Sequence, residues 1–255
     1  MILLSKVSVL SRIIKTNITL NTRDLGGLKT LDGFYTKKKV FIRSDNLAYN
    51  EDSFYSLYDL VKKESLKTVI DLRVKKELEG MISASSVYKG IDYHHLSLVN
   101  YMPLGYGIPT GHNYQNLGDW YIEIIENSKD EIKLIIDTIA NSKKGALLFN
   151  CTMGKDRTSI LSCILLMIAN VSKRSIALDH IISNENVASA YAPYLHELKE
   201  DQLIFTNVKY NDMIRLVDHI NNSYGNITNF LISCGVEKRS VLKIKRKFVN
   251  KEKKQ

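Results

Sequence analysis

Gly145-Ala-Leu-Leu-Phe-Asn150-Cys151-Thr-Met-Gly-Lys-Asp-Arg157-Thr-Ser-Ile160 is the stretch that decides the fold. Gly145 opens an unbroken apolar run too short for a helix. Such runs fit a central strand covered on both faces. Ser159 to Ala169 is apolar almost all round, which predicts a buried helix. Between Cys151 and Arg157 lie five residues, Thr152 to Asp156. A strand–loop–helix of this length wraps backbone N–H groups around a point in front of the helix N-terminus, where the dipole favours negative charge. A cysteine at the bottom of that cradle is expected as a thiolate. Arg157 can present a planar fork to two oxygens of a bound phosphate. Nucleophile, oxyanion-stabilising ring and clamp thus share one short stretch. A Walker loop is excluded, because it needs Ser or Thr at Asp156 and Gly at Phe149. Cys163, inside the apolar helix, reads as an inert thiol.

Outward from this stretch, Thr68–Leu72, Val40–Arg43 and Tyr93–Leu98 are short and apolar or β-branched, and read as strands. Helical spacing appears at 52–62, at 120–140 with a break at Asn127-Ser128, and at 208–220. After residue 151 the pattern predicts helices only. Strands alternating with helices, then a helical run, predict an α/β fold. Its central, mostly parallel sheet is flanked by helices, and its C-terminal half is helical. We expect a single domain over 1–255, with a helical subregion at roughly 185–225 over the site and a basic C-terminal helix and tail at 238–255.

Composition fits that picture. Of 255 residues, 44% are hydrophobic and 25% charged, which excludes wholesale disorder. Three cysteines cannot form a disulfide framework and point to a reducing compartment. Apolar residues precede the charges at the N-terminus, the reverse of a secretory leader. No stretch approaches a membrane span, so the expected location is cytoplasmic. The net charge is +9, but Lys238–Gln255 holds nine basic residues against Glu252, leaving the body nearly neutral. A nucleic-acid groove across the body is therefore not expected, and the tail reads as a solvated last helix. The six histidines have no ligand spacing, so no metal or other cofactor is expected.

Cys-x5-Arg after an apolar strand resembles the cysteine-dependent protein tyrosine phosphatases. Cys151-Thr-Met-Gly-Lys-Asp-Arg-Thr158 is similar to the C-x-x-G-K-D-R-T loop of their atypical bacterial branch, which includes tyrosine, dual-specificity and lipid phosphatases. Asn21-Thr-Arg-Asp-Leu-Gly-Gly27, Phe41-Ile-Arg-Ser-Asp45 and Val69-Ile-Asp-Leu-Arg73 with Glu77 resemble that branch's other segments in order. Asp179–Asn184 and Gly235–Lys247 echo its later helices. The resemblance implies a phosphatase-like fold with Cys151 as nucleophile and Arg157 as clamp. It implies a phosphate-binding loop of Thr152, Met153, Gly154, Lys155, Asp156, Arg157 and Thr158. Thr158 would support the thiolate, and Lys155 would add positive charge. The only tryptophan is Trp120, so the Trp-Pro-Asp acid loop of tyrosine-specific relatives is missing. Asp156 becomes the candidate acid, against a loop-holding role for the same carboxylate, with Asp119 and Asp45 as alternatives. Asp24, Asp71 and Arg73 read as a buried charge set tying the N-terminal motif to the sheet. Asn150 stands where the family has His, and Ser159 where it has Gly and would crowd the helix start.

The implied activity is a metal-independent phosphomonoesterase acting on phosphotyrosine, with phosphoserine/threonine or phosphoinositide as further substrates, through a cysteinyl-phosphate. Its partners would be a phosphorylated protein or phosphoinositide, with phosphate and vanadate as inhibitors. A silent phosphate-binding module is the alternative. An arsenate reductase or sulfurtransferase ranks lower, since Cys163 and Cys234 are poorly placed as resolving cysteines.

Overall fold

The computed structural model describes residues 11–47, 51–79, 83–99 and 114–250. The first ten residues and the last five, on which the readings of the leader and of the tail's end rest, lie outside them. Along the chain, β1 (Arg23–Asp24), β2 (Tyr35–Thr36) and β3 (Phe41–Ser44) precede α1 (Glu51–Lys63) and β4 (Leu66–Asp71). A 3-10 turn at Lys75–Leu78 and α2 (Ala84–Val87) lead to β5 (Asp92–His95). Then come α3 (Leu117–Asn127), α4 (Lys129–Asn141), β6 (Ala146–Asn150), α5 (Asp156–Ile168) and α6 (Lys173–Tyr191). The chain finishes through α7 (Glu200–Leu203), α8 (Tyr210–Tyr224), α9 (Ile227–Ser233), α10 (Lys238–Phe248) and β7 (Val249–Asn250).

Five strands form one sheet in the order β1-β3-β6-β4-β5. β3, β6, β4 and β5 run parallel, and only β1 is antiparallel. β6 is central and buried along its whole length, as its unbroken apolar run requires. Leu147 and Phe149 face a large core shared with α3–α6 and α8–α10, whereas Ala146 and Leu148 face a smaller core closed by α1. The fold is thus α/β with a mostly parallel sheet between helices and a helical C-terminal half.

The break between α3 and α4 falls at Ser128, as the spacing indicates. α3 starts at Leu117 rather than Trp120, because the Asn116 side chain caps it by accepting from the Asp119 N–H at 3.0 Å. The predicted strand at Tyr93–Leu98 is shorter and lies at Asp92–His95. Helices do not fill the whole chain after residue 151: β7 pairs antiparallel with β2 and closes the C-terminus onto the N-terminal half. Two residues are too few to show a period in sequence.

Candidate active site

Cys151 emerges at the C-terminal end of β6 and is buried. α5 begins at Asp156, so only Thr152 to Lys155 separate the cysteine from the helix. The loop's carbonyls are engaged from behind. Thr152 O accepts the Asn46 N–H at 3.1 Å. Asn21 Nδ2 donates to Met153 O and to Gly154 O, both at 3.0 Å, and Arg43 Nη2 donates to Gly154 O at 2.7 Å. An N–H lies opposite the carbonyl of its planar peptide, so the amides of Met153, Gly154 and Lys155 turn away from these partners. Gly154 has φ +60°, and a Cβ there would stand 2.5 Å from Ser44 O, so only glycine lets the loop lie against β3.

Thr158 Oγ1, one turn into α5, donates to Cys151 Sγ at 3.1 Å. Arg157 is gripped end-on by Glu77: Nη1 reaches Oε2 at 2.5 Å and Nη2 reaches Oε1 at 2.8 Å. Glu77 also accepts from Thr152 Oγ1 and from the Val74 N–H. Burial pushes the Glu77 carboxyl up, but its bonds and charge pairing with Arg157, and the bonds from Thr152 and Val74, override this and hold it at about 2. A guanidinium has two usable forks. Glu77 takes the Nη1/Nη2 fork of Arg157. Glu77 stands in a motif noted in the sequence, yet nothing in its spacing showed that it would hold the clamp.

Lys155 departs from its expected reach. Its ammonium is fully buried, donates to Phe205 O, lies 4.9 Å from the Tyr191 ring centre and is 3.7 Å from Asp156 Oδ2. Burial pulls its pKa down, but Asp156 and Tyr191 outweigh burial and hold it above the ordinary value. Its charge sits beside the loop while its head anchors the helical segment that follows α6. Asp156 Oδ1 accepts from the buried Tyr121 hydroxyl at 2.6 Å. Tyr121 gave no signal in the sequence, since its partner lies 35 residues away. Of the other carboxylates, Asp45 accepts the Leu20 and Asn21 N–H groups at 2.8 and 3.0 Å, and Asp119 pairs with Arg215 at the exterior.

Behind the loop lies a buried charge cluster that the sequence placed elsewhere. Asp179 on α6 meets Arg12 at 2.8 Å, Arg23 at 3.3 Å and Arg43 at 2.8 Å. Burial pushes its carboxyl up, but the three guanidiniums pull it far below the carboxylate range. The N-terminal motif is therefore tied in by Arg23, Arg43 and Asp179. Asp24 instead pins its own turn, accepting the Gly26 and Lys39 N–H groups at 2.7 Å each, while Asp71 and Arg73 pair with each other at 2.6 Å. Ser159 does not crowd the helix start. Its hydroxyl accepts from Arg43 Nη2 at 2.7 Å and bonds His180 Nδ1 at 2.8 Å, joining α5 to α6. Burial, then the charges of Arg43, Lys155 and Arg23, depress His180 well below its ordinary value, so it is neutral. Asn150 is buried and neither atom of its side-chain amide has a hydrogen-bond partner. Cys163 and Cys234 are buried free thiols. Burial pushes Cys163 far up and Cys234 up to about 11. Among the described residues, no group of three or more His, Cys, Asp or Glu is arranged to hold a metal ion. Also among them, no helix is long and apolar enough to cross a membrane.

The class this defines is a mostly parallel α/β protein that carries, at the C-terminal end of β6, a cysteine beneath a loop of amides with an arginine beside it. The chain matches the model of the tyrosine phosphatase family over residues 14–250 and belongs to that family. It is 30% identical over 144 residues to a protein named tyrosine-protein phosphatase from Nostoc commune, covering 56% of this chain. The match spans about half of that relative's length, 48%.

Proposed function

We propose that the chain is a phosphomonoesterase that removes phosphate from phosphotyrosine through a cysteinyl-phosphate, with 1–255 acting as one catalytic unit. The observation that carries this is the Thr158 hydroxyl set 3.1 Å from the Cys151 sulfur, at the floor of a loop whose carbonyls are all bound from behind. Substrate phosphate would lie among the amides of Thr152 to Arg157, two of its oxygens on the Nε edge of Arg157. The sulfur attacks phosphorus, the P–O bond to the leaving group breaks, and Asp156 gives that oxygen a proton. Water then attacks the cysteinyl-phosphate, Asp156 takes its proton, and the P–S bond breaks to return the thiolate, which the Thr158 hydroxyl stabilises. No metal is needed. Inorganic phosphate and vanadate, which fit the same cradle, are the expected inhibitors.

The test is hydrolysis of a phosphotyrosine peptide, a phosphoserine peptide and a phosphoinositide panel by the wild type and by Cys151→Ser. We expect turnover on phosphotyrosine that the serine variant loses while still binding phosphate. Activity retained in Cys151→Ser overturns the covalent route. A second reading, phosphate binding without turnover, rests on Asn150, whose amide gives the sulfur no support. A wild type that binds phosphate and releases none from any of these substrates establishes that reading.

A further inference from the structure

We infer that the end of the molecule opposite the phosphate loop is a docking surface for an anionic lipid bilayer. The parallel sheet creates this end. β3, β4 and β6 all point their C-terminal ends toward Cys151, so the residues that lead into them gather at the other edge. Those residues are basic. Lys37-Lys-Lys39 leads into β3, Lys67 is the second residue of β4, and Lys143-Lys144 leads into β6. All but Lys37 are well exposed.

The basic helix α10 lies along the same edge. Lys37 donates from its backbone to Phe248 O at 2.7 Å and from its Nζ to Arg246 O at 3.2 Å. On the helix's other side Lys247 reaches Ser142 O at 3.0 Å, next to Lys143. The acids nearby are each matched by a lysine: Glu64 by Lys39, Asp92 by Lys143 and Asp32 by Lys245. A positive excess therefore remains, spread over loops that are far apart in sequence.

Apolar side chains sit within this field. Leu242 is 47% exposed and Leu31 69%. Leu242 borders a shallow cleft of about 440 Å³ with Phe34 and Arg246. Exposed leucines on a basic end of the molecule, Leu242 beside Lys245 and Arg246, match a bilayer interface, which offers acyl chains to the first and anionic headgroups to the second. A nucleic-acid backbone offers the leucines nothing. Docked in this way, the protein holds Cys151 away from the bilayer. Resting on the reaction proposed above, this makes its membrane-associated substrates phosphates held out from the surface, not headgroups beneath it.

The test is sedimentation with phosphatidylcholine vesicles, with and without phosphatidylserine, over a salt series. Because binding is read without turnover, its failure is separate from any failure of the catalytic reading. We expect binding only to the anionic vesicles, weakening as salt rises. The triple variant Lys38→Glu, Lys144→Glu, Arg246→Glu, checked for folding by thermal unfolding, should bind on the order of 10²-fold more weakly. Leu242→Ser should weaken the binding that remains at high salt. Trp120, the single tryptophan, packs against Phe205 at the catalytic end, so brominated lipids should leave its fluorescence unquenched. No binding, equal binding to neutral vesicles, or a folded triple variant that binds as wild type overturns the proposal. So does tighter binding to duplex RNA than to anionic vesicles at the same salt. Quenching of Trp120 overturns the orientation.

Discussion

Glu77 stands one bond away from the proposed chemistry and Asp156 takes part in it, and each can be tested by replacing its carboxylate with an amide. Glu77 fixes the guanidinium plane of Arg157 through two bonds, so Glu77→Gln keeps one acceptor and loses the second. We expect kcat/KM to fall about 10²-fold, since a clamp misplaced by an ångström costs that much. Because the Glu77 carboxyl is depressed to about 2 in the fold, its ion pair stabilises fully above its unfolded value near 4.5 and is lost as pH falls through about 2. The wild-type advantage over Glu77→Gln in urea midpoint should therefore be full above about pH 4.5 and vanish toward about pH 2. Arg157→Lys should be more severe than Glu77→Gln in both phosphate affinity and rate, because an ammonium has no second edge to offer. For Asp156, the leaving group decides. A nitrophenolate leaves unaided, but an alkoxide needs a proton worth about 10²–10⁴ in rate. Asp156→Asn should slow phosphoserine far more than nitrophenyl phosphate. Tyr121→Phe, which removes the 2.6 Å bond to Asp156 and keeps the ring, should show the same selectivity more weakly. Equal slowing of both substrates, with a lower Tm, would make Asp156 a loop-holding carboxylate.

At the scale of elements, α6 braces the phosphate loop through Asp179, which holds the arginine that bonds Gly154 O and Ser159. Removing one partner of a buried ion cluster strands the others, at about 3–5 kcal/mol. Asp179→Asn should lower Tm by on the order of 10 °C. It should also raise KM, since Arg43 loses its counter-charge. Calorimetry and initial rates check both. β6, α5 and the loop between them were readable from sequence because their signals are local: an unbroken apolar run, a helix without a polar face, and a cysteine six residues from an arginine. α6 was faint for the opposite reason. Its buried face carries Asp179, His180 and Ser183, so no apolar stripe marks it. Arg23-Asp24 escaped as a strand because β1 is two residues long and charged. The partners of Asp179 lie 136 to 167 residues away, beyond any periodicity.

Across the whole molecule the sheet separates stability from chemistry. Its C-terminal edge carries Cys151, while its other end is closed by the β2–β7 pair and by Phe248, which packs edge-on to Phe41 with ring centres 4.8 Å apart. Both rings are fully buried, so Phe248→Ala opens a cavity costing about 3–5 kcal/mol. That loss is comparable to the one expected for Asp179→Asn, but it falls at the far end of β3. The two variants should therefore diverge in kinetics while agreeing in stability. Measured well below the Tm of either, Phe248→Ala should keep kcat and KM within about twofold of wild type, as distant independent sites do. Asp179→Asn should not. A fall in kcat/KM for folded Phe248→Ala as large as that for Asp179→Asn would mean that the sheet transmits packing at its basic end to the phosphate loop, and that the two ends do not act independently.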